Sequence, residues 1–166
     1  MVFGMDKGKE DFYKNATRSL LNQLDAMNMN PAEKLAAKKL TLLFRNKFRD
    51  YDVKMATFGP DLNYDISMCT YDADGFCKAS SWTFMNQLNP RDWQLMYINE
   101  LWTFGPHHFL MHLPSRQVFD LTADQYTHYG IDVPYNMGYP VRLNKQESQS
   151  AARFAAALAL TQKQND

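Results

Sequence analysis

Apolar residues recur at helical spacing along the first part of the chain. Those between Glu10 and Met27 fall on one side of a helix, and the Asn-Met-Asn-Pro sequence that follows ends the pattern. Pro31 suits the first position of a second helix, which is rich in strong helix formers and runs to about Arg49. The pattern therefore predicts a helical hairpin over residues 1–50, a supporting element without evident chemistry.

The second of these helices is predicted to be amphipathic. Its buried face would comprise Leu35, Leu42, Leu43 and Phe44. Its solvated face would carry Lys34, Lys38, Lys39, Arg45, Lys47 and Arg49. We interpret this basic cluster as an ordinary helix surface.

Shorter apolar runs follow the two helices. We predict one strand over residues 52–58 and a second over residues 62–71, separated by a Gly-Pro turn. An Asp-Ala-Asp-Gly sequence then precedes a helical stripe over residues 76–88, which places Cys77 in the first turn of a helix. An Asn-Pro pair ends that helix, and the apolar and aromatic segment 93–98 is predicted to be a buried strand.

A β-hairpin is predicted around Pro114-Ser115. Its strands would be His107–Leu113 and Arg116–Thr122, because the prolines at both ends of the first segment argue against a helix. The Thr122-x-x-Gln125 sequence has the form of a capping box and predicts a short helix through Tyr126. The glycine- and proline-rich loop that follows is predicted to be irregular.

The ends of the chain are helix-rich and its centre is strand-rich. A final amphipathic helix is expected from about Glu147 to Gln162. We therefore predict an α+β fold of papain-like type, with an antiparallel sheet packed on the Cys77 helix. A single domain would span residues 1–166, with the helical hairpin at 1–50, the α+β core at 51–143 and the C-terminal helix at 144–166.

Composition and charge argue against several classes of partner. The 166 residues are 45% hydrophobic, and eighteen basic residues balance eighteen acidic ones, so no nucleic-acid partner is expected. No apolar run approaches the roughly 20 residues that span a bilayer, and the N-terminal sequence lacks the hydrophobic core of a signal peptide. We therefore expect no membrane partner and a cytoplasmic location. Cys69 and Cys77 are accordingly expected to be free thiols.

Cys77 is the leading candidate for chemistry. A thiol at a helix N-terminus is favoured as the thiolate, because unpaired backbone N–H groups and the helix dipole stabilise the anion. A nucleophilic cysteine also needs a base and a group that orients the base. The hairpin offers a histidine at the start of one strand and Asp120 at the end of the next. We predict a triad of Cys77, His108 and Asp120.

The register of the hairpin decides which histidine faces Asp120, because a shift of one residue exchanges the two faces of a strand. A two-residue loop at Pro114-Ser115 puts His107 on the Asp120 face. An odd-length loop puts His108 there, with His112 on the same side. Periodicity alone leaves both registers open.

Three segments resemble the YunG-like group of small proteins. They are the Gly-x-Cys helix start at Gly75–Cys77, the histidine-bearing strand at 107–113 and the Asp-Leu-Thr-x-x-Gln-aromatic motif at Asp120–Tyr126. The last motif is the most specific of the three. The resemblance covers residues 75–126, about a third of the chain. Members of this group are similar in plan to papain-like and transglutaminase-like enzymes, in which a cysteine, a histidine and a polar third residue follow in that order.

The resemblance implies that the cysteine, histidine and aspartate of the group fall on Cys77, His108 and Asp120, with His107 as the alternative histidine. We expect a thiol hydrolase or acyltransferase that acts, without a cofactor, on an amide or related acyl bond of a protein or small-molecule substrate. The backbone N–H of Cys77 would stabilise the oxyanion, with Asn63 as the candidate side-chain donor.

The alternative function is a non-catalytic binding or inhibitor protein that retains the papain-like shell. Its partner surface would be formed by loop aromatics: Trp102, Phe104, Tyr135 and Tyr139. The oligomeric state is left open by the sequence. A catalytic Cys77 would distinguish the enzyme from this alternative through its greater thiol reactivity.

A zinc site is suggested by His107, His108, His112 and the two cysteines, but the spacing argues against it. An i, i+4 histidine pair converges on one helical turn, whereas in a strand His108 and His112 would be about 13 Å apart. Phe109 also stands where the metalloprotease pattern needs glutamate. We predict no metal, with His112 facing solvent or a neighbouring strand.

Overall fold

The computed structural model describes residues 7–60, 71–99, 106–142 and 148–160. In these ranges the helices are α1 (Lys7–Ala26), α2 (Pro31–Lys47), α3 (Tyr51–Phe58), α4 (Cys77–Gln87), α5 (Asp124–Thr127) and α6 (Gln149–Ala157). The strands are β1 (Trp93–Ile98), β2 (His107–His112), β3 (Gln117–Phe119) and β4 (Tyr139–Pro140). The predicted α+β class is confirmed, together with the N-terminal helix pair and the antiparallel sheet packed on the Cys77 helix.

Helices α1 and α2 pack against each other, but α2 is rotated relative to the prediction. Leu35 and Leu42 are 55% and 50% exposed, whereas Arg45 is only 1% exposed. The interpretation of Arg45 as part of a solvated face is therefore wrong. Phe44 and Arg45 both point inwards, and the arginine tolerates burial because a buried carboxylate neutralises its charge.

Residues 51–58 form helix α3, so the strand predicted there is wrong. The Asp50 side chain caps the start of the helix. Its Oδ1 accepts hydrogen bonds from the backbone N–H groups of Asp52 and Val53, at 2.9 and 3.3 Å. Val53 and Thr57, one helical turn apart, are buried, and α3 packs on α6. The strand predicted over 62–71 lies outside the described residues except at Tyr71.

The four strands form an antiparallel sheet in the order β3-β2-β1-β4. β1 and β2 pair along their whole length, from Trp93 opposite His112 to Ile98 opposite His107. The two residues of β4 pair with β1 and fall in the loop that was predicted to be irregular. A strand this short leaves no periodicity in the sequence by which it could be recognised.

A cluster of aromatic rings holds α4 in place. The rings belong to α2, α4 and α6 or to residues next to the ends of α2 and α4: Phe44, Phe48, Phe76, Phe84 and Phe154. Their neighbouring ring centroids lie 4.6 to 6.2 Å apart. Each buried ring stabilises the fold by about 1.5–3 kcal/mol. α4 also contacts β1 and β2, so this packing fixes the start of α4 relative to the sheet.

The C-terminal helix α6 is shorter than predicted. It begins where the Ser148 hydroxyl accepts the Ala151 backbone N–H at 3.4 Å. In the described ranges no helix is long and apolar enough to cross a bilayer.

Candidate active site

Cys77 is the first residue of α4, which confirms its predicted place in the first turn. The chain reverses just before it at Gly75, whose φ of +84° lies in the left-handed region that favours glycine. Phe76, at the N-cap, offers no side-chain cap to the first N–H groups of the helix. The Cys77 thiol is free and the residue is 8% exposed.

Gly75→Ala is expected to lower the free energy of unfolding by about 1–2 kcal/mol, because an L side chain is strained at positive φ. Gly130→Ala is the matched control, since Gly130 has a φ of +77° and open space around its added Cβ. Urea titration of both variants should give similar losses of stability. Only Gly75→Ala should also slow alkylation of Cys77, and equal alkylation rates in the two variants would contradict a special role for the Gly75 turn.

The hairpin register brings His107 to Asp120. Because His112 pairs with Gln117, an even number of residues, 113–116, forms the turn. His107 Nε2 then lies 2.7 Å from Asp120 Oδ2, with both side chains buried. The predicted contact of Asp120 with His108 is therefore wrong, and the His108 ring instead lies 4.9 Å from that of Tyr97.

Asp120 is held by three donors. Tyr135 Oη donates to Oδ2 at 2.9 Å, and the Thr122 backbone N–H donates to Oδ1 at 3.2 Å. The third donor is His107 Nε2, which lies 2.7 Å from Oδ2. Burial and the Asp120 charge raise the pKa of Tyr135, so its hydroxyl keeps the proton that it donates. The carboxylate is thus fixed in one orientation toward His107.

His107 and His108 both favour the thiolate of Cys77. Burial disfavours the thiolate, but hydrogen bonds from His107 and His108 and their charge outweigh it and lower the pKa of Cys77 to about 5. Burial likewise disfavours the imidazolium of His107, yet Asp120 and the Cys77 thiolate raise the pKa of His107 to about 10. The surroundings therefore favour a thiolate–imidazolium pair. Since Asp120 contacts Nε2, Nδ1 is the nitrogen left to share a proton with Cys77.

Gln125 is a site residue that the sequence analysis assigned a different task. In a capping box its side chain would return to the backbone N–H of Thr122, but Nε2 lies 3.0 Å from Thr122 Oγ1 and 3.3 Å from His107 Nδ1. α5 begins at Asp124 and has no side-chain cap. The short helix is confirmed, and its predicted capping box is wrong.

A buried ion pair braces the segment that carries Asp120 and Gln125. Arg45 forms two parallel hydrogen bonds with Asp124, at 2.6 and 2.8 Å. Its remaining N–H groups donate to Thr17 Oγ1 and to the carbonyl oxygens of Tyr13 and Leu121. Every guanidinium nitrogen is thus bonded, and α2 is tied both to α1 and to α5.

The remaining candidate residues from the sequence lie outside the described ranges or away from the Cys77 site. Four lie outside the described part of the chain: Asn63, Cys69, Trp102 and Phe104. His112 is buried against the ring of Trp93 on the neighbouring strand, with centroids 4.6 Å apart. Within the described ranges no three His, Cys, Asp or Glu side chains are grouped as a metal ion would require.

The chain was compared with protein families, curated proteins and solved structures. No protein-family model, no curated protein and no solved structure matches the chain. The likeness to the YunG-like group therefore remains a prediction from the three segments quoted above.

Proposed function

We propose that this protein is a cytoplasmic thiol hydrolase or acyltransferase of papain-like plan, in which Cys77 attacks an amide or related acyl bond. The observation that carries the proposal is the buried pair of His107 and Asp120, with 2.7 Å between Nε2 and Oδ2, beside a thiol at a helix start whose pKa His107 lowers. A thiol at an uncapped helix start, a proton-carrying imidazole and a buried carboxylate are the three parts that thiol catalysis requires. The YunG-like motifs support the same plan.

The first half of the proposed reaction forms an acyl-enzyme. Cys77 Sγ bonds to the acyl carbon, and the bond from that carbon to the leaving group breaks. His107 Nδ1 gives its proton to the departing amine or alcohol, while Asp120 holds the ring and stabilises the imidazolium before the transfer. The base role predicted for His108 passes to His107, because only His107 has the orienting contact with Asp120.

The second half releases the acyl group. Water, or another nucleophile in a transferase, attacks the thioester carbon and gives its proton to His107 Nδ1, and the bond to Sγ breaks to restore the thiolate. In both halves the negative oxygen would be stabilised by the backbone N–H of Cys77 at the start of α4. No cofactor is needed for either step.

The proposal predicts a covalent acyl intermediate on Cys77. Incubation with p-nitrophenyl acetate should release p-nitrophenol in a burst and add one acetyl group to the protein, detected by intact mass and assigned by peptide mapping. Cys77→Ala should lose the burst and the adduct while retaining the wild-type circular dichroism spectrum. Cys69→Ala is the matched control and should keep both. An undiminished burst in Cys77→Ala would refute the proposed nucleophile.

The second candidate is a binding protein that retains the papain-like shell without turnover. Two observations favour it: Cys77 is only 8% exposed, and a cleft of about 580 Å³ runs along α1 and is lined by Phe12, Leu20, Val118 and Tyr135 among others. Cys77 is not among the residues that line this cleft. Absence of acylation in the wild-type protein would favour this candidate.

A further inference from the structure

Gln125 connects the turn before Cys77 with the proposed base. Its side chain is nearly buried, with the residue 8% exposed, and Oε1 accepts the Gly75 backbone N–H at 3.2 Å. A backbone N–H can only donate, so this contact identifies the oxygen end of the amide. The amide nitrogen at the other end carries only hydrogens, and it lies 3.3 Å from His107 Nδ1 and 3.0 Å from Thr122 Oγ1.

The Gln125 contact suits only one protonation state of His107. When the ring is neutral with its hydrogen on Nε2 toward Asp120, the Nδ1 lone pair accepts a hydrogen bond from the Gln125 amide. In the imidazolium Nδ1 also carries a hydrogen, so the two groups present donors to each other. Because Asp120 takes the hydrogen on Nε2, the Cys77 thiolate is the acceptor that suits the Nδ1 hydrogen. Gln125 and Cys77 therefore compete for the same ring nitrogen.

The titratable groups around His107 come from α4, β2, the end of β3, α5 and the turn before β4: Cys77, His108, Asp120, Tyr126 and Tyr135. Asp120 and the Cys77 thiolate attract the positive ring, and the Tyr126 ring meets His107 edge-on, with centroids 4.7 Å apart. Tyr135 donates to Asp120. The Gln125 amide opposes the imidazolium among these described neighbours.

We propose that Gln125 is a positioning residue that disfavours the His107 imidazolium, without abolishing it, and so restrains transfer of the Cys77 proton to Nδ1. The inference deepens the proposed function and rests on it, because it assigns a task within the same site. The Gly75 N–H keeps the amide from turning over, since reversal would place two donors together at Gly75. The restraint on the base is thus linked to the start of the Cys77 helix.

Two nearly isosteric variants should shift the titration of Cys77 in opposite directions. Gln125→Met removes the competing donor, so the midpoint of iodoacetamide alkylation against pH should fall by about half to one pH unit, the effect of one hydrogen bond. Gln125→Glu supplies an acceptor that takes the Nδ1 hydrogen away from Cys77 and adds negative charge beside the thiolate. Its midpoint should rise by about one unit.

Gln94→Met is the matched control, because the Gln94 amide donates to the carbonyl oxygens of Leu95 in β1 and of Val141, the residue after β4. Its midpoint should equal that of the wild type. Nitrogen-15 shifts of the His107 ring, recorded at the same pH values, should show more imidazolium in Gln125→Met than in Gln94→Met. This readout covers the case in which Gln125→Glu does not fold.

Shifts of both Gln125 variants in one direction, or no difference between Gln125→Met and Gln94→Met, would overturn the inference. Failure of the proposed function has a different signature. If wild-type Cys77 forms no acyl adduct, the enzyme proposal fails, while the alkylation midpoints and His107 ring shifts still decide the role of Gln125.

Discussion

Replacing His107 with glutamine should move the pH midpoint of Cys77 alkylation upwards by about three units. In the wild-type protein the thiolate forms as the pH rises through the lowered pKa of about 5. His107 remains an imidazolium until the pH passes its raised pKa of about 10, so the ion pair persists between these two values. Glutamine carries no positive charge, so the Cys77 pKa should rise toward about 8.5, the ordinary value for a thiol, although His108 still lowers it. Ultraviolet absorbance of the thiolate gives the same titration independently.

His108→Gln is the matched control for this experiment. His108 also lowers the pKa of Cys77, but Asp120 contacts His107 and not His108. We expect a shift in the same direction and smaller, because the imidazolium paired with the carboxylate stays in place. A larger shift in His108→Gln than in His107→Gln would return the base to His108, as the sequence analysis predicted. Measurement of acyl-adduct formation in both variants would then assign the base by turnover as well.

Asp124→Asn should lower the free energy of unfolding by about 3–5 kcal/mol, the usual result of removing one partner from a buried ion pair. Arg45 and Asp124 have side chains only 1% and 3% exposed, so the uncompensated guanidinium would remain out of water. Tyr71 Oη, which lies 2.5 Å from Asp124 Oδ2, would lose its charged acceptor too. Urea denaturation monitored by circular dichroism measures the loss.

Lys38→Gln provides the comparison with an exposed ion pair. Lys38 Nζ lies 2.9 Å from Asp25 Oδ1, but the two side chains are 34% and 51% exposed. Removal of this charge should cost less than about 1 kcal/mol. If Asp124→Asn cost no more than Lys38→Gln, the brace between α2 and α5 would have no structural importance. Urea titrations of the two variants under one set of conditions make this comparison.

The elements that the sequence analysis predicted correctly are those whose signals are local. The Asn-Pro start of α2, the stripe that begins at Cys77 and the apolar run of β1 each depend on neighbouring residues. Residues 51–58 show how a local signal can fail. Their apolar residues suited a strand, but the Asp50 cap and packing on α6 make them a helix.

The candidate site was predicted in part for the same reason. Cys77 and Asp120 could be selected from a helix start and a strand end, whereas the choice between His107 and His108 depended on the parity of the hairpin turn. The tight turn over 113–116 sets that parity, and apolar residues on both faces of β2 left no alternation to reveal it. The Thr122-x-x-Gln125 spacing matched a capping box, which concealed the contact of Gln125 with His107.

The sequence by itself determined the N-terminal helix pair, the α+β class and the position of Cys77 at a helix start, because each follows from periodicity and capping within a few residues. Only the tertiary structure decided that His107 contacts Asp120, that Gln125 contacts His107 and that Arg45 is buried. Arg45 and Asp124 are 79 positions apart, and their pairing overrides the local preference of an arginine for the helix surface. Contacts of this kind depend on the packing of whole elements, which no short segment of the sequence encodes.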